Sequence, residues 1–236
     1  MQIKGKVALV TGANRGLGRQ FALQLIARGA SKVYAAVRDP AKADVPGAEV
    51  IALDITDPVS VQAAAATAAD VQILINNAGV ATYTNFLDGD LAKIRLEIDT
   101  HYFGTLSMVR AFAPLLASNG GGAVLNVLSG LSWFSLDGAN SYCAAKAAEW
   151  SLTNGLRLEL IKQGTTVTGV ILAAADTDMT AGWDIEKANP RDIVREALDG
   201  LVAGKMEVLA DEPAKQSKSL LAADPSVIYP QAVFAH

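Results

Sequence analysis

The chain has 236 residues, of which 51% are hydrophobic, and its formal net charge is -4. This acidic balance excludes the basic footprint of a nucleic-acid-binding protein, and no stretch reaches the ~20 apolar residues that a membrane-spanning helix needs. The single cysteine, Cys143, permits no disulfide within the chain, and the N-terminal apolar run is too short for the core of a signal peptide. We therefore expect a cytoplasmic protein that binds neither nucleic acid nor membranes.

Short apolar segments rich in β-branched residues alternate with longer helical patterns. Strands are predicted over residues 6–11, 32–37, 49–53, 72–76, 123–129, 166–172 and 206–210. They are near-continuous apolar runs, which is typical of parallel strands covered on both faces. Helices are predicted over residues 16–29, 57–69, 89–117, 139–162 and 190–203. The alternation predicts an α/β fold, a Rossmann-like doubly wound parallel sheet of about seven strands, in a single domain over residues 1–236.

Two local features refine this pattern. The connection that begins at Arg38 carries two prolines and a glycine, so we expect little or no helix before the third strand. Asp57 and Pro58 suit the cap and the first position of the second helix.

A glycine-rich turn, "TGANRGLG" at residues 11–18, follows the first strand and opens a helix. In that context Gly12 turns the chain, Gly16 lets the backbone approach a pyrophosphate, and Gly18 lets the helix pack on the strand. The helix N-terminus then offers free N–H groups to phosphates. The turn predicts a dinucleotide site that also includes Asn14, Arg15 and Leu17.

The end of the second strand bears on the choice of cofactor. An acidic side chain there binds the ribose 2′-hydroxyl of NAD, whereas an arginine accommodates the 2′-phosphate of NADP. Arg38 occupies that region and Arg15 lies in the glycine turn, although Asp39 points the other way. We expect NADP(H), with NAD(H) the less favoured cofactor; both arginines could also be solvated surface charges.

Tyr142 and Lys146 lie four residues apart in "SYCAAK", and on a helix this spacing places them one turn apart on the same face. Taken alone, the pair could be a solvated lysine beside a half-buried tyrosine. It could also be a tyrosine acid/base whose pKa is lowered by a neighbouring cation.

With the glycine turn, "NNAG" at residues 76–79 and Ser129, thirteen residues before Tyr142, the sequence resembles the short-chain dehydrogenase/reductase family, and in particular its carbonyl reductases. The resemblance covers nearly the whole chain. It implies that Tyr142 is the general acid in carbonyl reduction and that Ser129 hydrogen-bonds the carbonyl oxygen. Lys146 would bind the nicotinamide ribose and lower the pKa of Tyr142 from its usual value of about 10.

The resemblance also implies a cofactor set beyond the glycine turn, namely Asp54, Ile55, Asn76, Ala78, Gly79, Ala175 and Thr177. Two of these roles have structural alternatives. Ser129 could merely end a strand, with Ser132 close by, and Asp54 could cap a helix, although Asp57 fits that cap better.

Two positions depart from the family pattern. The stretch "HYFG" puts His101 where the family usually carries an asparagine that holds a relay water. A histidine could hold that water or relay protons itself, or it could have a structural partner only. After the sixth strand, Leu172 and Ala173 replace the family's proline and glycine, so Ala173 could strain or shift the loop.

The predicted substrate pocket is apolar and rich in aromatic residues. Its candidates are Trp133, Phe134, Ala173, Ala174, Met179 and Trp183, with Tyr83 and Phe86 nearby, and the alanines at 173–175 widen it. Several of these side chains could instead pack the core or an interface. We expect a hydrophobic ketone or the matching alcohol, because no basic patch suggests a substrate bound to an acyl carrier. Residues 180–190 leave room for a small lid.

The sequence thus favours an enzyme, an NADP(H)-dependent carbonyl reductase that runs backwards as an alcohol dehydrogenase, with no metal. A silent NADP(H)-sensing regulator of the same fold is the alternative, although sensors tend to lose the tyrosine or the lysine. A nucleotide-sugar epimerase would need a longer C-terminal region. We expect a homodimer or homotetramer, built on residues 143–160 or the C-terminal 227–236.

Overall fold

The computed structural model describes residues 1–232 of the chain. Seven strands are formed: β1 (Val7–Thr11), β2 (Lys32–Val37), β3 (Glu49–Ala52), β4 (Ile73–Asn76), β5 (Gly122–Ser129), β6 (Thr165–Leu172) and β7 (Glu207–Leu209). The helices are α1 (Gly16–Ala27), α2 (Pro58–Thr67), α3 (Leu91–Ile98), α4 (Thr105–Ser118), α5 (Asn140–Leu160), α6 (Pro190–Val202), α7 (Glu212–Ser219) and α8 (Pro225–Ile228).

All seven strands form one parallel sheet in the order β3-β2-β1-β4-β5-β6-β7. The order reverses between β1 and β4, where Ala8 pairs with Ile73 and Val10 with Ile75. At such a switch point the connections leave in opposite directions and open a crevice at the carboxyl ends of the strands. The predicted Rossmann-like fold is therefore confirmed.

The strands are continuous apolar runs because helices cover both faces of the sheet. In β1, Ala8 and Val10 pack on one side with Phe21 of α1. Leu9 faces the other side, where Phe112 of α4 closes a second core. All five of these side chains are fully buried. The period-2 alternation therefore separates two apolar cores rather than a core from solvent.

The local expectations near α2 also hold. The Asp57 carboxylate accepts from the amide of Val59 at 3.0 Å and Pro58 is the first helical residue. The connection before β3 contains only a short 3-10 turn over Pro40–Lys42, capped by Asp39.

The single helix predicted over residues 89–117 is divided into α3 and α4 by a turn of a different helical type. Between α3 and α4 the chain makes a π-helical turn over Asp99–Gly104, which contains His101. A π turn adds one residue to the helical repeat and is frequent at functional sites.

Two short helices that the sequence pattern does not predict follow β7. In α7 only Ala214 is buried, against Leu128 and Ile171, so its seven other positions give almost no apolar periodicity. Among residues 1–232, no helix combines the length and the hydrophobicity that crossing a bilayer requires.

Candidate active site

The glycine turn lies at the carboxyl end of β1, beside the switch point. Gly12 and Gly16 have φ of +66° and +53°, in the left-handed region that favours glycine. A Cβ on Gly18 would lie 2.2 Å from the carbonyl oxygen of Gly12, so no other residue fits there. The turn, called the cradle below, therefore presents backbone groups without side chains at its glycines.

The first turn of α1 faces this cradle. Its N-cap residue, Arg15, makes no side-chain cap hydrogen bond, so the side chain leaves the first-turn amides open to a ligand. Aligned amides and the helix dipole favour an anion at this position. Together with the glycine backbone, they fit the pyrophosphate of a dinucleotide.

A cleft of about 420 Å³ runs from this turn along the sheet edge. Every residue predicted to bind the cofactor lines it except Asn76; the lining set includes Gly12, Asn14, Arg15, Gly16, Leu17, Gly18, Arg38, Asp54, Ile55, Ala78, Gly79, Tyr142, Lys146, Ala175 and Thr177. Asn76 is instead buried and donates to the side chain of Asn126 at 2.8 Å. The next residue, Asn77, lines the cleft and donates to the Thr11 carbonyl at 2.9 Å, so the structure places Asn77 rather than Asn76 at the cleft.

Three cations, Arg15, Arg38 and Lys42, line one end of the cleft, and the sequence pattern had not indicated Lys42. The acidic neighbour Asp39 is engaged elsewhere: it accepts from the amide of Ala41 and pairs with Lys42 at 2.9 Å. Arg15 also pairs with Asp178 at 2.7 Å across the cleft mouth, with both side chains about two-thirds exposed.

Asp54 lines the cleft near Arg38. Its carboxylate accepts from the hydroxyl and the amide of Thr56, at 2.7 and 2.9 Å. The hydrogen bonds from Thr56 and the charge of Arg38 keep the pKa of Asp54 below its ordinary value. Asp54 is therefore a carboxylate at neutral pH, with one oxygen engaged by its own loop, and it caps no helix.

Ser129 and Tyr142 lie where this cleft meets a second cavity, because both residues line both spaces. Ser129 ends β5, and its hydroxyl accepts from the amide of Leu131 at 3.1 Å. Burial is the largest influence on the pKa of Tyr142 and raises it, whereas the hydrogen bond with Ser129 has a smaller, lowering effect.

Lys146 is buried below Tyr142, with its Nζ 5.9 Å from the centre of the tyrosine ring. Its ammonium donates to the carbonyl of Val127 at 2.8 Å and to Glu149 Oε2 at 2.7 Å. Burial lowers the pKa of Lys146, but the Glu149 carboxylate more than offsets this and raises it. The lysine is thus a cation at neutral pH.

The pKa of Tyr142 differs in direction from the sequence-based expectation. Burial raises the pKa of this phenol, and although Lys146 lowers it, the negative charge of Glu149 raises it again. The net result is a pKa above the ordinary value of 10.0. Lys146 lowers this pKa as the sequence predicts, but burial has the larger effect and outweighs it, so the net direction is upward.

Glu149 is a site residue that sequence reasoning missed. It lies one turn after Lys146 on α5 and is almost completely buried. Besides Lys146, its carboxylate accepts from the hydroxyl of Thr105 at 2.9 Å. A glutamate in a helical sequence normally indicates a face exposed to solvent. Only the apolar neighbours of Glu149 on α5 could have indicated that it is buried.

His101 completes this buried group. Its Nε2 lies 2.7 Å from the carbonyl oxygen of Val80, and its Nδ1 lies 3.6 Å from Glu149 Oε2 with no hydrogen-bond partner. The ring meets Tyr142 edge-on at 5.3 Å between centroids. The structure thus places His101 against Glu149 and Tyr142, and beside the cofactor cleft.

The second cavity has a volume of about 280 Å³ and no charged residue among those that line it. Of the predicted pocket residues it includes Tyr83, Phe134, Ala173, Ala174, Met179 and Trp183. Trp133 lies outside it, packed against Leu128 and Ile171 with the ammonium of Lys218 above its ring, so its assignment to the pocket is corrected. Phe86 is half-exposed and also outside the cavity.

The departure after β6 causes no backbone strain. Among the described residues, Tyr83 is the only one other than glycine with a positive φ, so Ala173 adopts an ordinary conformation. Its amide donates to Asp211 at 2.8 Å, which ties the segment to the start of α7. The expected strain at Ala173 is therefore wrong, and the small side chains at 173 and 174 line the cavity wall.

Tyr83 closes the mouth of this cavity. Its hydroxyl donates to the carbonyl of Met179 at 2.5 Å, and its ring lies 5.6 Å from that of Trp183. Its φ of +53° is held by its neighbours, because Thr82 donates to the buried Glu97 through both its amide and its hydroxyl.

No group of three or more potential metal ligands occurs among residues 1–232. The predicted assembly segment 227–236 lies partly outside the described residues, since 233–236 are not among them.

Comparisons with known proteins agree with this geometry. The profile of the short chain dehydrogenase family matches residues 6–188. The structure of a short chain dehydrogenase from Burkholderia cenocepacia J2315, in complex with NADP, has a TM-score of 0.93 and 40% identity, and the match covers 100% of both chains.

Curated relatives lie at lower identity. A 3-oxoacyl-(acyl-carrier-protein) reductase from Synechocystis is 31% identical over 90% of this chain and 92% of its own length. A sorbitol dehydrogenase from Cereibacter sphaeroides is 33% identical, over 83% and 80% of the two chains. The chain belongs to the short-chain dehydrogenase family, and it is an NAD(P)-dependent oxidoreductase.

Proposed function

We propose that this protein is an NADP(H)-dependent reductase that converts a hydrophobic, aryl or bulky ketone or aldehyde to the alcohol, reversibly. The observation that carries the proposal is the position of Ser129 and Tyr142. Both hydroxyls stand where the dinucleotide cleft opens into an uncharged cavity. A carbonyl group at this junction would have its oxygen between two hydroxyls and its substituents against apolar walls.

When bound, the nicotinamide dinucleotide supplies the hydride for reduction or accepts it for oxidation. Tyr142 donates its phenolic proton to the carbonyl oxygen and takes one back in the reverse direction. Ser129 donates a hydrogen bond that stabilises the negative charge developing on that oxygen. Lys146 supplies a fixed positive charge next to the phenol, and the apolar walls keep water from the reacting carbon.

Preference for NADP(H) is supported by the cations at the adenosine end of the cleft. Arg15 and Arg38 can form charged hydrogen bonds to a 2′-phosphate, and Lys42 adds a third positive charge. Asp39, which could have bound a free ribose hydroxyl, is held as a turn cap and by Lys42. The Burkholderia relative, which matches over the full length of both chains, was solved with NADP.

The relatives suggest two narrower substrate classes. A 3-oxoacyl thioester is a second candidate, because the Synechocystis relative is a reductase of such substrates and an acyl chain suits an apolar cavity. Sorbitol is less suited, since the cavity offers few polar groups beyond Ser129, Tyr142 and the hydroxyls of Thr180 and Ser217. A silent sensor is disfavoured because serine, tyrosine and lysine are all in place.

The experiment is to follow NADPH and NADH oxidation with aryl ketones, aliphatic ketones, a 3-oxoacyl thioester and a keto sugar. We expect turnover of aryl or bulky ketones with NADPH, and a loss of about a hundredfold or more in Tyr142→Phe. Turnover of the 3-oxoacyl thioester and of no other carbonyl would show that the second candidate, a 3-oxoacyl thioester, is the substrate class. Tight NADPH binding with no turnover of any carbonyl would contradict the reductase and favour the sensor.

A homodimer or homotetramer, working in the cytoplasm as a single-domain subunit, completes the proposal. Leu158 on α5 and Ile161 just after it are 78% and 60% exposed, which is unusual for large apolar side chains at the end of a long helix. Light scattering after gel filtration measures the mass, and a monomer at micromolar concentration would contradict the assembly.

A further inference from the structure

Three ionisable side chains, Lys146, Glu149 and His101, form a group with almost no contact with solvent. Their exposed fractions are 6%, 1% and 1%. A buried charge is tolerated only when a partner of opposite charge compensates it. Within this group the Glu149 carboxylate is the only acid that contacts Lys146.

The carboxylate is held from three directions. On α5, Lys146 donates to Oε2 at 2.7 Å; from α4, Thr105 donates to the carboxylate at 2.9 Å; and from the π turn, the Nδ1 of His101 faces Oε2 at 3.6 Å. These contacts fix Glu149 on the side of the ammonium away from solvent. They also orient the ammonium toward the Val127 carbonyl at 2.8 Å.

His101 faces this carboxylate with an unpartnered nitrogen. Its Nε2 lies 2.7 Å from the carbonyl oxygen of Val80 and 3.4 Å from the amide nitrogen of the same residue, so Val80 occupies this side of the ring. The π turn therefore places a buried ring nitrogen that has no hydrogen-bond partner 3.6 Å from the Glu149 carboxylate.

The electrostatic consequence concerns Tyr142. An ammonium near a phenol stabilises the phenolate, whereas a carboxylate on that ammonium cancels part of the field. The groups that face the phenol are Lys146 and Glu149 on α5, Ser129 at the end of β5, the edge of His101 and the phenol of Tyr83. Of these, Glu149 carries the negative charge at neutral pH, since Lys146 and His101 hold its pKa below the ordinary value despite burial.

We propose that Glu149 is a positioning residue: its carboxylate pairs with the Lys146 ammonium and thereby favours the protonated, proton-donating form of the Tyr142 phenol. This rests on the proposed function, because it assigns Tyr142 as the donor. The reaction itself is unchanged: the phenol O–H bond breaks, its proton goes to the carbonyl oxygen, and the phenolate later takes a proton from solvent. Glu149 sets the pH range over which the first of these steps can occur.

The direct test is a titration of the phenol by ultraviolet difference absorbance, which needs no substrate. Subtracting the Tyr142→Phe spectrum from that of the parent chain isolates this one tyrosine. The same subtraction is made in a Glu149→Gln background. Glutamine keeps the shape and can still accept from Lys146 and Thr105, but it lacks the charge.

We expect Glu149→Gln to lower the midpoint of Tyr142 ionisation by about one pH unit. Glu97→Gln is the matched control, because Glu97 is an equally buried carboxylate that bonds to Thr82 and Ser141 rather than to Lys146. It should leave the midpoint where it is. Equal ionisation of Tyr142 in the parent and Glu149→Gln chains at every pH up to about 11, or an upward shift, overturns the proposal.

Kinetics provide the second readout. The equilibrium constant of the reaction fixes the ratio of forward and reverse kcat/KM, so a variant cannot change that ratio. The parent and Glu149→Gln chains are therefore compared by the pH midpoints of their rate profiles rather than by the rates themselves. The pH at which kcat for reduction falls, and at which kcat for alcohol oxidation rises, should both move down with the phenol titration. A purely structural role would lower both rates at all pH values and leave the midpoints in place, and would overturn the proposal.

Three causes of a negative result can be told apart: a misfolded variant, a wrong reductase assignment and a wrong role for Glu149. Thermal unfolding of each variant reports folding, and Glu149→Leu is a second uncharged variant that fills the same space. If no carbonyl is turned over but the phenol midpoint moves, the reductase assignment fails while the electrostatic role stands. If turnover is found and the midpoint does not move, only the role of Glu149 fails.

Discussion

At the scale of single residues, Arg38 illustrates how a charge at a strand end can select a cofactor. It follows β2 directly, lines the cleft, and lies close enough to Asp54 to lower the pKa of that carboxyl. A guanidinium there can neutralise a 2′-phosphate but gains little from a ribose hydroxyl.

Replacing Arg38 with alanine should raise KM for NADPH about tenfold or more and leave KM for NADH nearly unchanged, as expected from losing a charged hydrogen bond worth about 1.5–3 kcal/mol. Initial rates with each cofactor measure this. Arg110→Ala is the control, since Arg110 is an exposed cation of α4 outside the cleft. Equal effects on both cofactors would contradict selection by Arg38.

The pH dependence of reduction follows from Tyr142. In the proposed reaction, reduction needs the protonated phenol, so the rate is fully present below the pKa of Tyr142 and is lost as the pH rises through it. Burial raises that pKa above 10.0. The kcat for ketone reduction should therefore stay level from about pH 7 to about pH 9. A fall already complete at pH 8 in the unmodified chain would show that the phenol ionises earlier than its surroundings imply.

At the scale of whole elements, α1 and α5 show opposite uses of glycine. Gly18 in α1 has no room for a Cβ, because Gly12 and Asn77 lie against it. Gly155 in α5 has nothing within 4 Å of the same position. The first glycine is required by close contact, and the second only weakens a helix.

Gly18→Ala should abolish tight NADPH binding and destabilise the fold, since the methyl group would overlap the backbone of the cradle. Gly155→Ala should leave binding intact and raise the free energy of unfolding by about 0.5–1 kcal/mol. Calorimetric titration with NADPH and urea unfolding measure the two effects. Similar behaviour of both variants would contradict the packing described for Gly18.

The start of α2 offers a further test of element stability. Asp57→Ala removes the cap on the amide of Val59 and should cost about 1 kcal/mol of unfolding free energy, measured by urea denaturation. Asp88→Ala, at an exposed loop position, should change it by less than about 0.5 kcal/mol.

Sequence patterns predict regular elements better than departures from them. The strands were predictable because burial on both faces makes them continuous apolar runs. The π turn was not, since a helix with one added residue keeps an apolar pattern on either side of Asp99–Gly104. Similarly, Asn76 is the last, buried residue of β4 and Asn77 the first residue after it, in the cleft, and the sequence gives no signal for where the strand ends.

At the scale of the whole molecule, the site is assembled from segments distant in the chain. The glycine turn comes from the first strand, Glu149 and Tyr142 from α5, and the cavity wall from residues after β6. Sequence reasoning found the residues that a family motif marks, including Ser129, Tyr142 and Lys146. It missed Lys42 and Glu149, because their roles arise from contacts across elements rather than from spacing along one.

The hydrogen bond from the Tyr83 hydroxyl to the Met179 carbonyl, here called the clasp, joins the segment after β4 to the segment after β6. Tyr83→Phe, which removes the hydroxyl but keeps the ring against Trp183, should raise KM for the ketone severalfold with little change in KM for NADPH. Steady-state kinetics with both substrates varied separate these effects. An unchanged KM for the ketone would show that the clasp does not retain substrate.

The left-handed backbone at Tyr83 has a consequence for the evolution of this protein. A residue with a side chain in that conformation costs about 1–3 kcal/mol, which a glycine would not. Tyr83→Gly would remove that cost together with the hydrogen bond to Met179 and the ring contact with Trp183, so it should open the cavity mouth with little net change in Tm. Natural thermostable descendants that still needed a closed mouth would have to keep the tyrosine and gain their stability elsewhere.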